Sequence, residues 1–200
     1  MIKAVIFDLG GVIVRSHERR GRRRWEQKLG LADWACDELV FNSPMGIQAQ
    51  LGQIDETALW QWVGQQLELS PVELATFQRD FWADDVVDEA LVAYLRRLRA
   101  TYPLALISNA SLGLRQALSH RYRLDGLFDL IVISAEEKVM KPAAVIYERA
   151  LARLGRQPEE TVFVDDNQAN IAAAHALGMA AIQFNPTVDI PAELAALGVK

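Results

Sequence analysis

The chain has 200 residues, 51% of them hydrophobic and 24% charged, the balance of a globular protein long enough for one large core or a core plus a small accessory unit. Its 21 basic and 26 acidic residues leave a net charge of −5, so composition offers no basic excess for nucleic acid. Cys36 is the single cysteine, which excludes an internal disulfide and suits a reducing compartment. No apolar run approaches the roughly 18 residues that cross a bilayer. Met1 leads into a strand pattern without the charged, apolar and small-residue regions of a signal peptide, so the expectation is a cytoplasmic protein with no membrane partner.

Taken in chain order, the first element is an apolar run at Ile2–Phe7, ending at Asp8 and followed by Gly10 and Gly11. Similar runs recur at Leu104–Ser108, Leu130–Ser134, Thr161–Val164 and Ala180–Phe184. Most are continuous rather than alternating, as in parallel strands covered on both faces. Between them, apolar residues recur with a helical period at Glu89–Arg99, Leu112–His120, Ala143–Leu154 and Asn167–Leu177. Pro142 suits a helix start, and Gly155 and Gly178 suit helix stops. This alternation predicts an α/β fold, a doubly wound parallel sheet, over residues 1–14 and 86–200.

Residues 15–85 break the alternation and carry helix signals only. Asp55-Glu56-Thr57 precedes one periodic stretch, and Ser70-Pro71-Val72-Glu73 reads as a capping box with proline at the first helical position. Asn42–Gly46 reads as a turn between two helices. All five tryptophans (Trp25, Trp34, Trp60, Trp62, Trp82) fall in this insert, where large side chains would build the core of a small helical domain. Six arginines crowd residues 15–24. They read as a solvated helix face with Glu18 and Arg22 as an i,i+4 pair, although proximity to Asp8 in sequence would let one of them face a site.

Chemistry-bearing residues gather at the strand ends: Asp8 after the first, Ser108-Asn109 after the second, Lys141 beyond the third, and Asp165-Asp166 with Asn170 after the fourth. Parallel strands would bring these groups to one edge, the ligand-binding edge of an open α/β sheet. Three carboxylates there would repel one another, and a divalent cation removes that conflict. Lysine, serine and free amides at a helix start would hold an anion, so the set suits a phosphoryl group. Each residue alone has a plainer reading: loop carboxylate, helix cap or solvated lysine. The four together, in this order, do not.

That order of motifs resembles the haloacid dehalogenase-like (HAD) hydrolase superfamily along essentially the whole chain, with a Rossmann-like core. The carrying stretches are Phe7-Asp8-Leu9-Gly10-Gly11-Val12, Ile107-Ser108-Asn109, Lys141-Pro142 and Val164-Asp165-Asp166-Asn167-Gln168-Ala169-Asn170. The insert matches the mobile cap of that family, and Leu51-Gly52-Gln53-Ile54-Asp55 within it is family-like. The nearest branches are sugar-phosphate phosphatases and the phosphatase domain joined to some epoxide hydrolases. The resemblance implies Asp8 as the nucleophile that forms an aspartyl-phosphate. It implies magnesium held by Asp8, Asp166 and the Gly10 carbonyl, with Asp165 orienting a water ligand. Ser108, Asn109 and Lys141 would bind the phosphoryl group of a small phosphorylated substrate. Asn170 would support the last loop or Lys141.

Gly10 departs from the pattern. Most phosphatases of the superfamily carry there a second aspartate that protonates the leaving oxygen, and glycine cannot. Three readings follow. The chain is a slow or leaving-group-selective phosphatase, with His17 or Glu18 as candidate replacements for the acid. It is a 2-haloacid dehalogenase, against which the Asp165-Asp166 pair argues. Or it is a non-catalytic phosphate- and metal-binding regulator of the same fold. A response-regulator receiver domain is excluded, because its acidic pair follows the first strand and it has no helical insert.

Overall fold

The computed structural model describes residues 1–16 and 18–200. Five strands form one parallel sheet: β1 (Ala4–Phe7), β4 (Leu104–Ser108), β5 (Leu130–Ile133), β6 (Thr161–Asp165) and β7 (Ala180–Gln183), in the order β5-β4-β1-β6-β7. The central strand is β1, with β4 on one side and β6 on the other, so strand order reverses at its carboxyl end.

Side chains alternate across each strand and feed two apolar layers. Val5, Phe7, Leu106 and Val164 face one side with α6 (Glu89–Leu98), α7 (Leu114–His120) and α11 (Ile190–Ala196). Ile6, Ala105, Ile107 and Phe163 face the other with α9 (Ala144–Leu154) and α10 (Gln168–Ala176). Coverage of both faces is why the runs read as continuous rather than alternating. Gly155 closes α9 with φ 62°, a left-handed stop that glycine adopts without strain.

Between β1 and α6 lies a helical insert: α1 (Arg20–Leu29), α2 (Ala35–Asp37), a π-turn at Glu38–Asn42, α3 (Pro44–Gln50), α4 (Glu56–Gln66) and α5 (Pro71–Phe81). Asp55 caps α4, and Ser70 with Glu73 completes a capping box on α5. Ser43 caps α3, so the stretch read as a turn starts a helix. The insert has its own apolar cluster, with Trp60 edge-on to Phe77 at 6.0 Å and Trp25 edge-on to Phe77 at 5.5 Å.

Three features differ from the sequence reading. A two-stranded antiparallel ribbon, β2 (Val14–Arg15) with β3 (Val86–Val87), forms the neck of the insert at its boundary with the core, where no strand is expected. Two-residue strands are too short to leave a periodic signal. Trp34 does not join the aromatic core: it is 57% exposed and stacks on the Arg19 guanidinium at 3.6 Å. The arginine run is not simply a solvated face. Arg19 is 5% exposed and pairs with Glu26 at 2.9 Å and with Asp37. Arg22 is also buried, bonded to Asp37 at 2.6 Å, Asp85 at 3.3 Å and the Phe81 carbonyl at 2.9 Å. A guanidinium brings a planar fork of donors, so burial is tolerated once carboxylates and carbonyls fill it. Arg20, Arg23 and Arg24 do stay exposed, and Glu18 pairs with Arg20 at 2.5 Å rather than with Arg22.

Candidate active site

β1 delivers Asp8, and pairing in register sets Asp165, the last residue of β6, beside it. On the other flank β4 ends one residue further on at Ser108, whose side chain is buried. Lys141 reaches in from the loop after α8 (Ser134–Glu137) and is 2% exposed. Its Nζ lies 2.9 Å from Asp8 Oδ1 and 2.7 Å from Asp165 Oδ2. Asp8 Oδ1 also accepts the Leu9 N–H at 2.7 Å. One carboxylate oxygen each from Asp8, Asp165 and Asp166 falls within 4.8 Å of the others.

Asp165 is wholly buried and its oxygens are occupied. It accepts from Lys141 Nζ, from Asn170 Nδ2 at 3.0 and 3.1 Å, and from the Asn167 N–H at 2.8 Å. Asn170 therefore supports the loop after β6 through Asp165, and the Tyr147 hydroxyl donates to its carbonyl at 3.2 Å. Asn109 clamps Lys141 from the other side: its Oδ1 accepts the Lys141 N–H at 2.8 Å and its Nδ2 donates to the Lys141 carbonyl at 2.9 Å. The Asn109 side chain is thus spent on holding the lysine's backbone.

The electrostatics leave the site short of positive charge. Burial lifts the Asp8 carboxyl to about 7; Lys141 pulls against this and Asp165 adds to it. Burial and Asp165 likewise raise Asp166, with Lys141 opposing. Three carboxylates against one ammonium form a set that hard oxygen-binding cations favour.

The two glycines after Asp8 differ. Gly11 has φ 77°, and a Cβ there would collide with the Asp166 carboxylate, so only glycine lets the loop lie against that acid. Gly10 meets nothing within 4 Å of the position a Cβ would take, and it is exposed. Of the two insert residues named as replacement acids, His17 lies outside the described residues, and Glu18 is exposed and paired with Arg20. Among the described residues, no arginine of the 15–24 run bonds to Asp8, Lys141, Asp165 or Asp166.

Sequence reasoning missed the contacts that seat the insert on this edge. Ser134 Oγ donates to the Gln50 carbonyl at 2.6 Å, Lys138 Nζ donates to the Gly52 carbonyl at 2.5 Å, and Ser111 Oγ donates to Glu56. Ser134, Lys138 and Ser111 all lie near the ends of β4 and β5, while their partners span residues 50–56 of the insert. The only signal in the sequence was the stretch Leu51–Asp55.

Comparison with known proteins gives the family. The haloacid dehalogenase-like hydrolase family matches residues 2–178. A sesquiterpene phosphatase of Aspergillus oryzae is 29% identical, over 96% of this chain and 94% of its own. A D-ribitol-5-phosphate phosphatase of Bacteroides thetaiotaomicron is 29% identical, over 97% of each. A HAD family enzyme of the same bacterium, solved in complex with magnesium and inorganic phosphate, superimposes with a TM-score of 0.81 at 20% identity, over 96% of this chain and 99% of that one. Among the described residues no helix is long and apolar enough to cross a membrane. A parallel sheet with β1 at its centre, acids at the carboxyl ends of β1 and β6, a buried lysine between them and a family match over most of the length lead to one assignment: this chain belongs to the haloacid dehalogenase-like hydrolases and is an enzyme of that family.

Proposed function

We propose that the chain is a magnesium-dependent phosphatase of a small phosphomonoester, working through an aspartyl-phosphate on Asp8. One observation carries the reading: Lys141 Nζ bridges Asp8 and Asp165 at 2.9 and 2.7 Å, with Asp166 completing a carboxylate cluster around it. Relatives named as phosphatases of a sesquiterpene and of D-ribitol 5-phosphate support a small phosphorylated substrate.

Asp8 and Asp166 would hold the ion together with the Gly10 carbonyl, while Asp165 fixes the lysine and the loop after β6. When bound, magnesium would neutralise the like charges of the carboxylates and of the phosphoryl oxygens. Both donors to Asp8 fall on Oδ1, which leaves Oδ2 as the attacking atom. Oδ2 bonds to phosphorus as the ester P–O bond breaks, and the departing alkoxide takes up a proton from solvent water. Water then attacks the aspartyl-phosphate, releasing inorganic phosphate and restoring the carboxylate. Lys141, the Ser108 hydroxyl and the Asn109 main-chain N–H hold the phosphoryl oxygens. The helical insert, residues 15–85, acts as a cap that excludes water and selects the substrate, seated through residues 50–56.

Glycine at position 10 carries no acid, and among the described residues nothing lies within 4 Å of the position its Cβ would take, so substrates whose leaving groups need no protonation are favoured. Aryl and acyl phosphates are cleaved faster than alkyl phosphates. The test is phosphate release from such a panel with and without magnesium, with Asp8→Asn as control. Activity that needs the metal and vanishes in the variant supports the reading. Activity surviving Asp8→Asn removes it. Halide release from 2-haloacids in the presence of chelator assigns a dehalogenase instead, and metal and phosphate binding without turnover on any substrate assigns a binding protein.

A further inference from the structure

Several arginines on the sheet-bearing part of the surface are spent on carboxylates, as with Arg99 on Asp129 at 2.7 Å and Arg115 on Glu136 at 2.6 Å, while Arg97 and Arg156 form no ion pair among the described residues. Arg96, Arg121 and Arg123 are set apart by their shared place. Among the described residues none of the three forms an ion pair, yet all three line one cavity of about 470 Å³. The volume is that of a small-ligand site. Arg96 comes from α6 and the other two from the turn after α7, so two separate elements aim cations at one space. Arg123 is held there in a left-handed backbone conformation, φ 54°, which a side chain rarely adopts. Arg121 is steadied by the Trp82 ring, 5.5 Å from its guanidinium carbon.

The opposing charges do not cancel this set. Asp85 lines the cavity, but its oxygens already accept from the Tyr122 hydroxyl at 2.8 Å, from Arg22 at 3.3 Å and from Ser16. Glu89 is left as the one carboxylate facing the three guanidiniums without an ion pair of its own among the described residues. The remaining wall is apolar: Val86, 59% exposed, with Val87 beside it on the neck strand β3. An exposed valine beside three guanidiniums that form no ion pair among the described residues suits a ligand that is anionic at one end and apolar at the other.

We propose that this cavity is a binding site for a small amphipathic anion, a molecule with one sulfonate, carboxylate or phosphate head and a compact apolar body. The site is separate from the Asp8 cluster, and its test does not depend on phosphatase activity. Naphthalene-1-sulfonate is the probe, because it carries no phosphate to hydrolyse; inorganic sulfate at matched ionic strength is the comparator. Isothermal titration of the whole protein is expected to give saturable binding of the aryl sulfonate, with sulfate weaker by at least about tenfold because it lacks the apolar body. The Arg96→Ala/Arg123→Ala double variant is expected to weaken the aryl sulfonate by at least about tenfold. Both arginines are exposed, so the variant should keep the parent's melting temperature, which is measured alongside. Amide resonances of Val86, Val87 and Leu124 are expected to move with the titration, while those of Leu9 and Asn109 stay still. Unsaturable binding, affinity unchanged in the double variant, sulfate binding as tightly as the aryl sulfonate, or a resonance footprint at Leu9 and Asn109 would each overturn the proposal.

Discussion

Two regions of this molecule bury several ionised groups together, and they do it in opposite ways. In the insert, the carboxylates of Glu26, Asp37 and Asp85 meet Arg19 and Arg22, each of which brings about five N–H donors. The Tyr122 hydroxyl and the Cys36 N–H add to the donors. At the sheet edge, three carboxylates meet one lysine, and the Asp8 carboxyl is driven up to about 7 by burial. The first cluster finds its counter-charges within the protein, although Arg19 Nε and Glu26 Oε2 are left without a partner, and it holds the neck to the insert. The second is left wanting a cation. What separates the structural charge cluster from the proposed active site is the unmet charge and not burial.

The sharpest test of that contrast removes the single cation from the deficient site. Lys141→Met leaves Asp8 and Asp165 facing each other with no counter-charge. Phosphate release should fall by about 10³-fold or more, and the variant should unfold at a lower temperature. Retained turnover would put the lysine outside the chemistry. In the insert's cluster, Arg22→Met should cost about 3 kcal/mol of stability by denaturant titration, because Asp37 and Asp85 each lose their ion pair to Arg22 and keep only Arg19 and the Tyr122 and Ser16 hydroxyls. Turnover per folded molecule should change little below the melting temperature, and a large loss of kcat would blur the distinction between the two clusters.

Gly10 and Gly11 sharpen it further. Gly10→Asp has room for its side chain and should speed alkyl phosphates by about tenfold or more relative to aryl phosphates. An unchanged ratio would mean that no acid is missing there. Gly11→Ala strains a φ of 77° and collides with Asp166, so magnesium affinity measured by titration should drop while the sheet stays folded. The smallest effect belongs to Cys36, buried beside Glu26 and Asp37. Burial, with those carboxylates adding to it, pushes its thiol up to about 12. A raised thiol pKa keeps the unreactive protonated form at pH 8, so an aromatic disulfide reagent should label Cys36 only after the protein is unfolded. Rapid labelling of the native protein would show that the insert opens there.

Much of the core was legible because its signals are local. Strands covered on both faces must be apolar at successive residues; β1, β4, β5 and β7 fall within the runs read for them, and β6 runs one residue beyond its own, to Asp165. Ser70 and Glu73 form the capping box their spacing announced. The acids, the serine and the lysine stood at strand ends in order, and parallel pairing set Asp165 beside Asp8 with Lys141 between them. The illegible parts depend on partners far away in sequence. Arg22 reads as surface until Asp85 and the Phe81 carbonyl arrive from the other end of the insert. Trp34 reads as core until its backbone turns left-handed and lays the ring outside on Arg19. Asn109 reads as a ligand for phosphate, yet its side chain closes on the Lys141 backbone across 32 residues.

The sequence by itself determined the layered α/β architecture and which groups stand at the strand ends, because hydrophobic period and chain order are one-dimensional properties. Only the tertiary structure decided which charges cancel and which stay uncompensated. It made Asp165 a saturated support and Asp8 a carboxylate in need of a cation. It also set Gly11 against Asp166 while leaving Gly10 open, and it gathered Arg96, Arg121 and Arg123 around one cavity. Electrostatic energy depends on distance and burial in three dimensions, and neither can be read along the chain.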